Sequence, residues 1–262
     1  MESGSKNSIR IFNKDMHIFF SGIGGIGMSG IAEILLKSGY KVSGSDRELS
    51  NITQLLSSKG AQIFQDHDSD NLKNVDMLVY SSAIPEDNPE RQMAKLLGIQ
   101  EIRRAEMLAQ IMHAKHGIAI AGTHGKTTTT SIFSEVAIQG GLDPTIVAGG
   151  RIKSLNSNAR LGFGEFFITE ADEYDRSFLA LSPTLAVITS IEADHLDCYK
   201  NFNDIKKTFI RFTENIPFFG KVICCIDDPT VRAILPKISK PVVTYGLSEE
   251  AEYRVMNLRF DH

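Results

Sequence analysis

A lysine and a threonine close a short glycine turn near the middle of the chain. The segment Gly122-Thr123-His124-Gly125-Lys126-Thr127-Thr128 carries the Gly-Lys-Thr ending of a phosphate-binding loop. In such loops backbone N–H groups surround the phosphates, the lysine reaches the β- and γ-oxygens, and the threonine hydroxyl can ligate Mg²⁺. Ile120 stands where the longer G-x-x-x-x-G-K-[ST] motif has its first glycine, so this turn is a shorter variant. It predicts a site for ATP phosphates; a threonine-rich helix start beside a chance Gly-Lys is the alternative.

A second glycine turn lies near the N-terminus. Gly22, Gly24 and Gly27 match G-x-G-x-x-G between an apolar run and a helical pattern. The missing side chains let the backbone approach a diphosphate, and the start of the helix offers unpaired N–H groups to its charge. Asp46 follows roughly 20 residues later, where dinucleotide-binding folds place a ribose-binding acid. Taken alone this turn fits NAD, although a tight turn without a ligand has the same spacing.

Acidic residues and a histidine follow two later β-prone runs. Glu170 directly follows one run, and Asp194-His195 come shortly after the next. The carboxyl ends of parallel strands meet at one edge of a sheet, so these side chains are expected beside the lysine turn. There they could hold one or two Mg²⁺ ions that bridge ATP phosphates. His195 is an uncommon type of Mg²⁺ ligand, and Asp172 and Glu173 fit equally well as solvated acids.

The elements that must position these residues alternate between strands and helices. Met28, Ile31, Ile34 and Leu35 recur at the spacing of one helix face, and Ile205, Phe209, Phe212 and Ile216 do so again. Helices are also predicted near residues 52–56 and over 127–138, while Pro85 and Pro89 indicate a turn. Strands are predicted at residues 17–20, 41–45, 77–80, from 118, 166–169, 186–189, 222–226 and 242–245. This rhythm predicts an α/β fold with mainly parallel sheets.

We expect two domains, because each glycine turn opens its own strand–helix series. Residues 1–110 are predicted to form a Rossmann-like domain, and residues 111–262 a P-loop ATPase-type α/β domain. The boundary is placed between Glu106 and His116, where no low-complexity linker marks it.

Composition limits the class of partner and compartment. The 262 residues carry a net charge of −4, which argues against nucleic acid as a partner. No apolar run approaches the ~20 residues of a membrane span, so no membrane insertion is expected. Three cysteines, two of them adjacent, do not suggest disulfides and suit a reducing cytoplasm.

Several segments, taken in order, resemble the Mur ligase family of ATP-dependent peptide ligases. The likeness runs from about residue 17 to residue 245. It is strongest to the branch that adds L-alanine to UDP-N-acetylmuramate, and a branch that recycles murein tripeptide is a near alternative. The matching segments are Ser21-Gly22-Ile23-Gly24-Gly25-Ile26-Gly27-Met28, Gly44-Ser45-Asp46, Ser81-Ser82-Ala83-Ile84, Asn88-Pro89, Arg104-Ala105-Glu106-Met107-Leu108, Gly122 to Thr129, Glu170-Ala171-Asp172-Glu173 and Glu192-Ala193-Asp194-His195-Leu196-Asp197.

The resemblance implies a reaction and explains why one chain has two phosphate-binding turns. ATP would phosphorylate the lactyl carboxylate of UDP-N-acetylmuramate, and the amine of L-alanine would attack the acyl phosphate, a step of peptidoglycan synthesis. The diphosphate loop of the UDP-sugar is then expected at Gly24, Gly25, Ile26 and Gly27. Contacts to the uridine or diphosphate are expected from Asp46, His67 and Ser82.

The resemblance also assigns the catalytic edge. Lys126 would stabilise charge on the transferring phosphoryl group, Thr127 and Glu170 would ligate a first Mg²⁺, and His195 a second. The family continues beyond the position of His262, so we expect this chain to lack the C-terminal amino-acid-binding domain and part of the ATPase domain. A cytoplasmic monomer or homodimer is expected. An NAD-dependent oxidoreductase and a non-catalytic nucleotide-binding module remain as alternatives.

Overall fold

The computed structural model describes residues 12–155, 157–194 and 197–259, so the predicted ligand His195 lies outside the described residues. Two sheets carry the fold. The helices are α1 (Ile26–Lys37), α2 (Asn51–Ser58), α3 (Pro89–Leu97), α4 (Arg104–His113), α5 (Lys126–Gln139), α6 (Phe202–Glu214) and α7 (Pro229–Ile234). The strands are β1 (His17–Ser21), β2 (Lys41–Asp46), β3 (Gln62–Gln65), β4 (Met77–Tyr80), β5 (Gln100–Arg103), β6 (His116–Ala121), β7 (Thr145–Ile152), β8 (Ser157–Arg160), β9 (Phe166–Ala171), β10 (Leu185–Ile188), β11 (Lys221–Cys225), β12 (Val242–Gly246) and β13 (Tyr253–Arg254).

The first sheet is parallel and has the strand order β3-β2-β1-β4-β5. Its central strand β1 is buried along its whole length. The chain leaves β1 toward β2 on one side and later returns to β4 on the other. The carboxyl end of β1 is therefore the point where the strand order reverses, which is where open α/β sheets bind ligands. The first glycine turn lies at this end.

The second sheet has the order β13-β12-β11-β10-β6-β9-β7-β8. Every neighbouring pair is parallel except the hairpin of β7 and β8. Strand β6 lies between β10 and β9, and Ile120 of β6 stands opposite Glu170 of β9. The lysine turn therefore follows an interior strand, and a predicted metal ligand lies on the strand beside it.

Helix α6 covers one face of the second sheet. Its start is fixed by Asn201, whose side chain accepts a hydrogen bond from the N–H of Asp204. Phe209 and Phe212 are fully buried, and the ring of Phe178 stacks on Phe212 with 4.7 Å between centroids. This aromatic cluster anchors the segment that follows β9 and carries the acids.

The two sheets meet through α1 and the β7–β8 hairpin. A side-chain Cβ on Gly30 would lie 3.1 Å from Nδ2 of Asn158 and 3.4 Å from Val147, so the hairpin packs closely on α1 there. Asn158 also donates a hydrogen bond to the carbonyl of Ile26, in the first turn of α1. Glu33, one turn beyond Gly30 along α1, is buried in the same region. This packing sets the first glycine turn against the second sheet.

The structure confirms the α/β class and the predicted strands to within about one or two residues. Two sequence-based interpretations are wrong. Pro89 does not belong to a turn but is the first residue of α3, with Asn88 accepting hydrogen bonds from the helix start. Ile216 lies beyond the end of α6 at Glu214, although it is buried. The predicted domain boundary at residue 110 falls within α4, and the division into domains stays a prediction.

Within the described ranges, we find no helix with the length and apolar character that a membrane crossing requires.

We expect Phe209→Ala to lower the free energy of unfolding by about 3–5 kcal/mol, because it empties a fully buried site in the aromatic cluster. Phe218→Ala is the matched control, since Phe218 is 88% exposed and its loss should cost less than about 0.5 kcal/mol. Urea denaturation of both variants measures the difference. Equal losses would show that the cluster does not anchor α6.

Candidate active site

The lysine turn is shaped by a contact that only glycine allows. Gly122 has a φ of 140°, and a Cβ there would overlap the hydroxyl of Thr189. That hydroxyl donates a 2.6 Å hydrogen bond to the carbonyl of His124, and the His124 N–H donates to Oγ of Ser190 at 3.1 Å. Thr189 and Ser190, which follow β10, therefore hold the lysine turn in place through hydrogen bonds to its backbone.

Helix α5 begins directly at the end of this turn. Its N-cap is Gly125 at a φ of 81°, so no side chain covers the start of the helix. Thr127 follows Lys126 in the first turn, and four consecutive threonines, poor helix formers, occupy the start of α5. A helix start with an uncovered N-cap can bind an anion, and the phosphate site stays a prediction.

Lys126 and Thr127 each contact a different acid. The ammonium of Lys126 donates to both carboxylate oxygens of Glu173, at 2.8 and 3.0 Å. The Thr127 hydroxyl donates to Oε2 of Glu170 at 3.0 Å, and the N–H of Gly149 donates to Oε1 at 2.9 Å. The structure thus brings Lys126, Thr127 and Glu170 together, as predicted. It also adds Glu173, whose role the sequence left undetermined and which is 3% exposed.

Burial raises the pKa of Glu170 above its ordinary value. The hydrogen bonds from Gly149 and Thr127 and the charge of Lys126 oppose this shift but only partly offset it. A carboxylate held in this way is poorly solvated and lacks a full countercharge. A bound cation would supply that charge.

The oxygen atoms at this edge fit Mg²⁺. Mg²⁺ prefers oxygen and is commonly held by one or two carboxylates together with substrate phosphates. The Thr127 hydroxyl and the Glu170 carboxylate are already in hydrogen-bond contact and could turn to one ion. In the part of the chain that the structure describes, no three His, Cys, Asp or Glu side chains cluster as a metal site. Phosphate oxygens and water would have to complete the coordination.

The first glycine turn is held by the strand beside it. The N–H groups of Gly22 and Ile23 both donate to the carbonyl of Ser45, at 2.9 Å. The carboxylate of Asp46 accepts the N–H of Gly24 at 2.8 Å. Asp46 therefore fixes the turn in this structure, and any contact to a ribose would be additional. Gly25 is the N-cap of α1, so this helix start is also uncovered.

The other two residues predicted to contact the uridine, His67 and Ser82, lie at different distances from the first turn. His67 belongs to a buried polar cluster, in which its Nδ1 lies 2.8 Å from Oγ of Ser45 and 3.0 Å from a carboxylate oxygen of Glu90. Ser82 is exposed and lines a separate pocket with Arg103 and Arg104. His67 is therefore close to the first turn, and Ser82 lies beyond it.

One cleft lies between the first glycine turn and the lysine turn. It has a volume of about 220 Å³, and Gly27 from the first turn and Lys126 and Glu170 from the second line it together. Arg104 lies between them: a Cβ on Gly27 would be 3.0 Å from its Nη1, and its Nη2 is 3.8 Å from Oδ2 of Asp172. The sequence motifs assign no role to Arg104. Its position brings one more positive charge to the cleft.

We expect Glu170→Gln to raise the thermal unfolding midpoint of the ligand-free protein near neutral pH. Because the folded-state pKa lies above the unfolded one, the wild-type carboxyl stabilises the fold only when protonated. That stability is present at low pH and is lost as pH rises through the folded-state pKa. The advantage of the glutamine variant should therefore shrink as pH falls from about 8 to about 4.

Thermal unfolding across this pH range measures the effect, with the exposed Glu214→Gln as a control for the loss of one charge. A lower midpoint for Glu170→Gln near neutral pH would show that the ionised carboxylate stabilises the fold.

Two family models match the chain in succession. The Mur ligase family catalytic domain matches residues 17–116, and the Mur ligase middle domain matches residues 120–262. A UDP-N-acetylmuramate–L-alanine ligase from Pelobacter propionicus is 54% identical over 252 residues, which cover 96% of this chain and 55% of that protein. The chain thus spans about half the length of the curated relatives that it matches.

Solved structures agree with this assignment. A UDP-N-acetylmuramate:L-alanyl-γ-D-glutamyl-meso-diaminopimelate ligase from Neisseria meningitides is 28% identical with a TM-score of 0.84, over 90% of this chain and 79% of that one. A UDP-N-acetylmuramate–alanine ligase from Thermotoga maritima is 30% identical with a TM-score of 0.79, over 89% of this chain and 53% of that one. With two family models covering nearly all of its length and both glycine turns in place, the chain belongs to the Mur ligase family.

Proposed function

We propose that this chain provides the UDP-sugar and ATP phosphate sites of a ligase that joins L-alanine to UDP-N-acetylmuramate in peptidoglycan synthesis. The cleft that Gly27, Lys126 and Glu170 line together carries the proposal. In this proposal the first turn would bind a diphosphate and the second a triphosphate on the same cleft, whereas an NAD-dependent oxidoreductase would have no use for the second turn. The curated relatives named for this reaction support the choice of substrates.

The first turn would hold the UDP-sugar. Its uncovered helix start, made by Gly24, Gly25, Ile26 and Gly27, suits the diphosphate. Asp46 and His67 lie beside this turn and are proposed to contact the ribose or uracil, while Ser82 would contact the ligand only where it extends past Arg104. The sugar would then direct its lactyl carboxylate into the cleft.

The second turn would activate that carboxylate. Backbone N–H groups from Gly122 to Thr128 would bind the ATP phosphates, and Lys126 would carry positive charge to the γ-phosphoryl group. Thr127 and Glu170 would hold Mg²⁺, which when bound neutralises charge on the phosphates. His195 is proposed as a further ligand from the family resemblance alone. The resulting acyl phosphate would be attacked by the amine of L-alanine, and phosphate would leave.

A second candidate function differs only in the amine that would attack the acyl phosphate. The solved ligase with the TM-score of 0.84 is named for a tripeptide, L-alanyl-γ-D-glutamyl-meso-diaminopimelate. Phosphorylation of the same carboxylate would precede either ligation, so the geometry of the cleft serves both. Which amine accelerates turnover separates them.

We expect ATP-dependent phosphate release that needs UDP-N-acetylmuramate and rises further with L-alanine. Lys126→Ala should lower the rate by about 10²–10³-fold, because it removes the charge that stabilises the transferring phosphoryl group. Lys207→Ala, on the exposed face of α6, is the control and should leave the rate unchanged. Acceleration by the tripeptide and not by L-alanine would support the second candidate.

If no phosphate is released, measurements of UDP-N-acetylmuramate and NADH binding distinguish the remaining possibilities. If calorimetry detects UDP-N-acetylmuramate but no phosphate is released, the chain is a binding-competent part of the ligase. Binding of NADH without binding of the UDP-sugar would contradict the proposal.

A further inference from the structure

The phosphate-binding lysine is already held by several acceptors in this structure. Its Nζ lies 2.8 and 3.0 Å from the two oxygens of Glu173, 2.6 Å from the carbonyl of Gly122 and 3.3 Å from that of Thr123. An ammonium has three N–H donors, and these four acceptors exceed them. Lys126 must therefore give up some of these bonds before it can donate to a phosphate.

Glu173 is well placed to compete for this lysine. Its side chain is 4% exposed and that of Lys126 is 17% exposed, so water screens their attraction only weakly. A bidentate carboxylate offers the ammonium the same kind of charged oxygen pair that a phosphate would. Removing the lysine from Glu173 without replacement would leave a buried carboxylate with less countercharge, which is costly.

The backbone around Glu173 is itself fixed. The hydroxyl of Tyr199 donates a 2.5 Å hydrogen bond to the Glu173 carbonyl. Arg176 lies 5.1 Å from the Tyr199 ring and pairs with Asp204 of α6 at 2.6 Å. Asp175 and Arg176 both have positive φ values, 48° and 62°, a conformation that costs energy in residues with side chains. The contacts to α6 and Tyr199 thus hold Glu173 where it meets Lys126.

We propose that Glu173 is a positioning residue for Lys126, which holds the lysine against the glycine turn and yields it to the nucleotide phosphates. This inference rests on the proposed ATP site. Binding of ATP would then include an exchange of partners, in which Lys126 leaves the Glu173 carboxylate for a phosphate oxygen. Glu173 sets how tightly the nucleotide binds, because its carboxylate competes with the ligand.

The test is the affinity of Mg²⁺–β,γ-imido-ATP for Glu173→Gln, measured by calorimetry. Glutamine keeps the size and the acceptor oxygen but removes the charge, so the nucleotide should bind about three- to tenfold more tightly. Asp175→Asn is the control, since it removes an exposed carboxylate two residues away and should change the affinity less than about twofold. Unchanged or weaker binding by a folded Glu173→Gln would overturn the inference.

The inference also requires that the effect of Glu173→Gln on nucleotide affinity depends on Lys126. In a Lys126→Met background, Glu173→Gln should no longer tighten binding beyond the small change that Asp175→Asn produces. The same gain in both backgrounds would mean that Glu173 acts by long-range charge, which would overturn its role as the partner of Lys126.

If Glu173→Gln fails to fold, Tyr199→Phe provides the second test. It removes the hydrogen bond to the Glu173 carbonyl and should tighten binding in the same direction, and no tightening would count against the inference.

These outcomes are distinct from failure of the proposed function. A wild-type protein that does not bind the nucleotide would contradict the ATP site and this inference together. A wild-type protein that binds it, with no tightening in Glu173→Gln, would contradict the inference alone.

Discussion

Each of the two sheets leads into a helix whose first backbone N–H groups are not covered by an N-cap side chain, and such a helix start can bind an anion. Gly25 precedes α1 and Gly125 precedes α5, each after an interior parallel strand. The interior position matters because its neighbours then bring their own carboxyl ends to the same edge. Asp46 beside the first turn and Glu170 beside the second reach their places in this way.

The proposed reaction requires the two glycine turns to lie on one cleft, and the contact between the sheets brings them together. The β7–β8 hairpin belongs to the second sheet but packs closely on α1 at Gly30. Arg104, at the start of α4, then fills the space between Gly27 and Asp172. The orientation of the first helix start is thus fixed by residues of the other sheet.

The sequence predicted the features that follow from local pattern. The two glycine turns and most strands could be derived from motif spacing and apolar runs. The meeting of Lys126, Thr127 and Glu170 could be derived because strand ends in a parallel sheet share an edge. The β7–β8 hairpin was missed, since its register is irregular and its glycines resemble loop residues. Glu173 was undetermined because burial, which separates a lysine partner from a solvated acid, depends on contacts distant in sequence, such as that with Tyr199.

The most direct test of two separate nucleotide sites on one cleft is sequential calorimetric titration, first with UDP-N-acetylmuramate and then with Mg²⁺–ADP. We expect one molecule of each to bind per chain, with the second binding event intact when the first site is full. Gly27→Val, which would push against Arg104, should abolish only the first event, and Lys126→Ala should weaken only the second. Displacement of the UDP-sugar by ADP, or of both by NADH, would show a single dinucleotide site and contradict this arrangement.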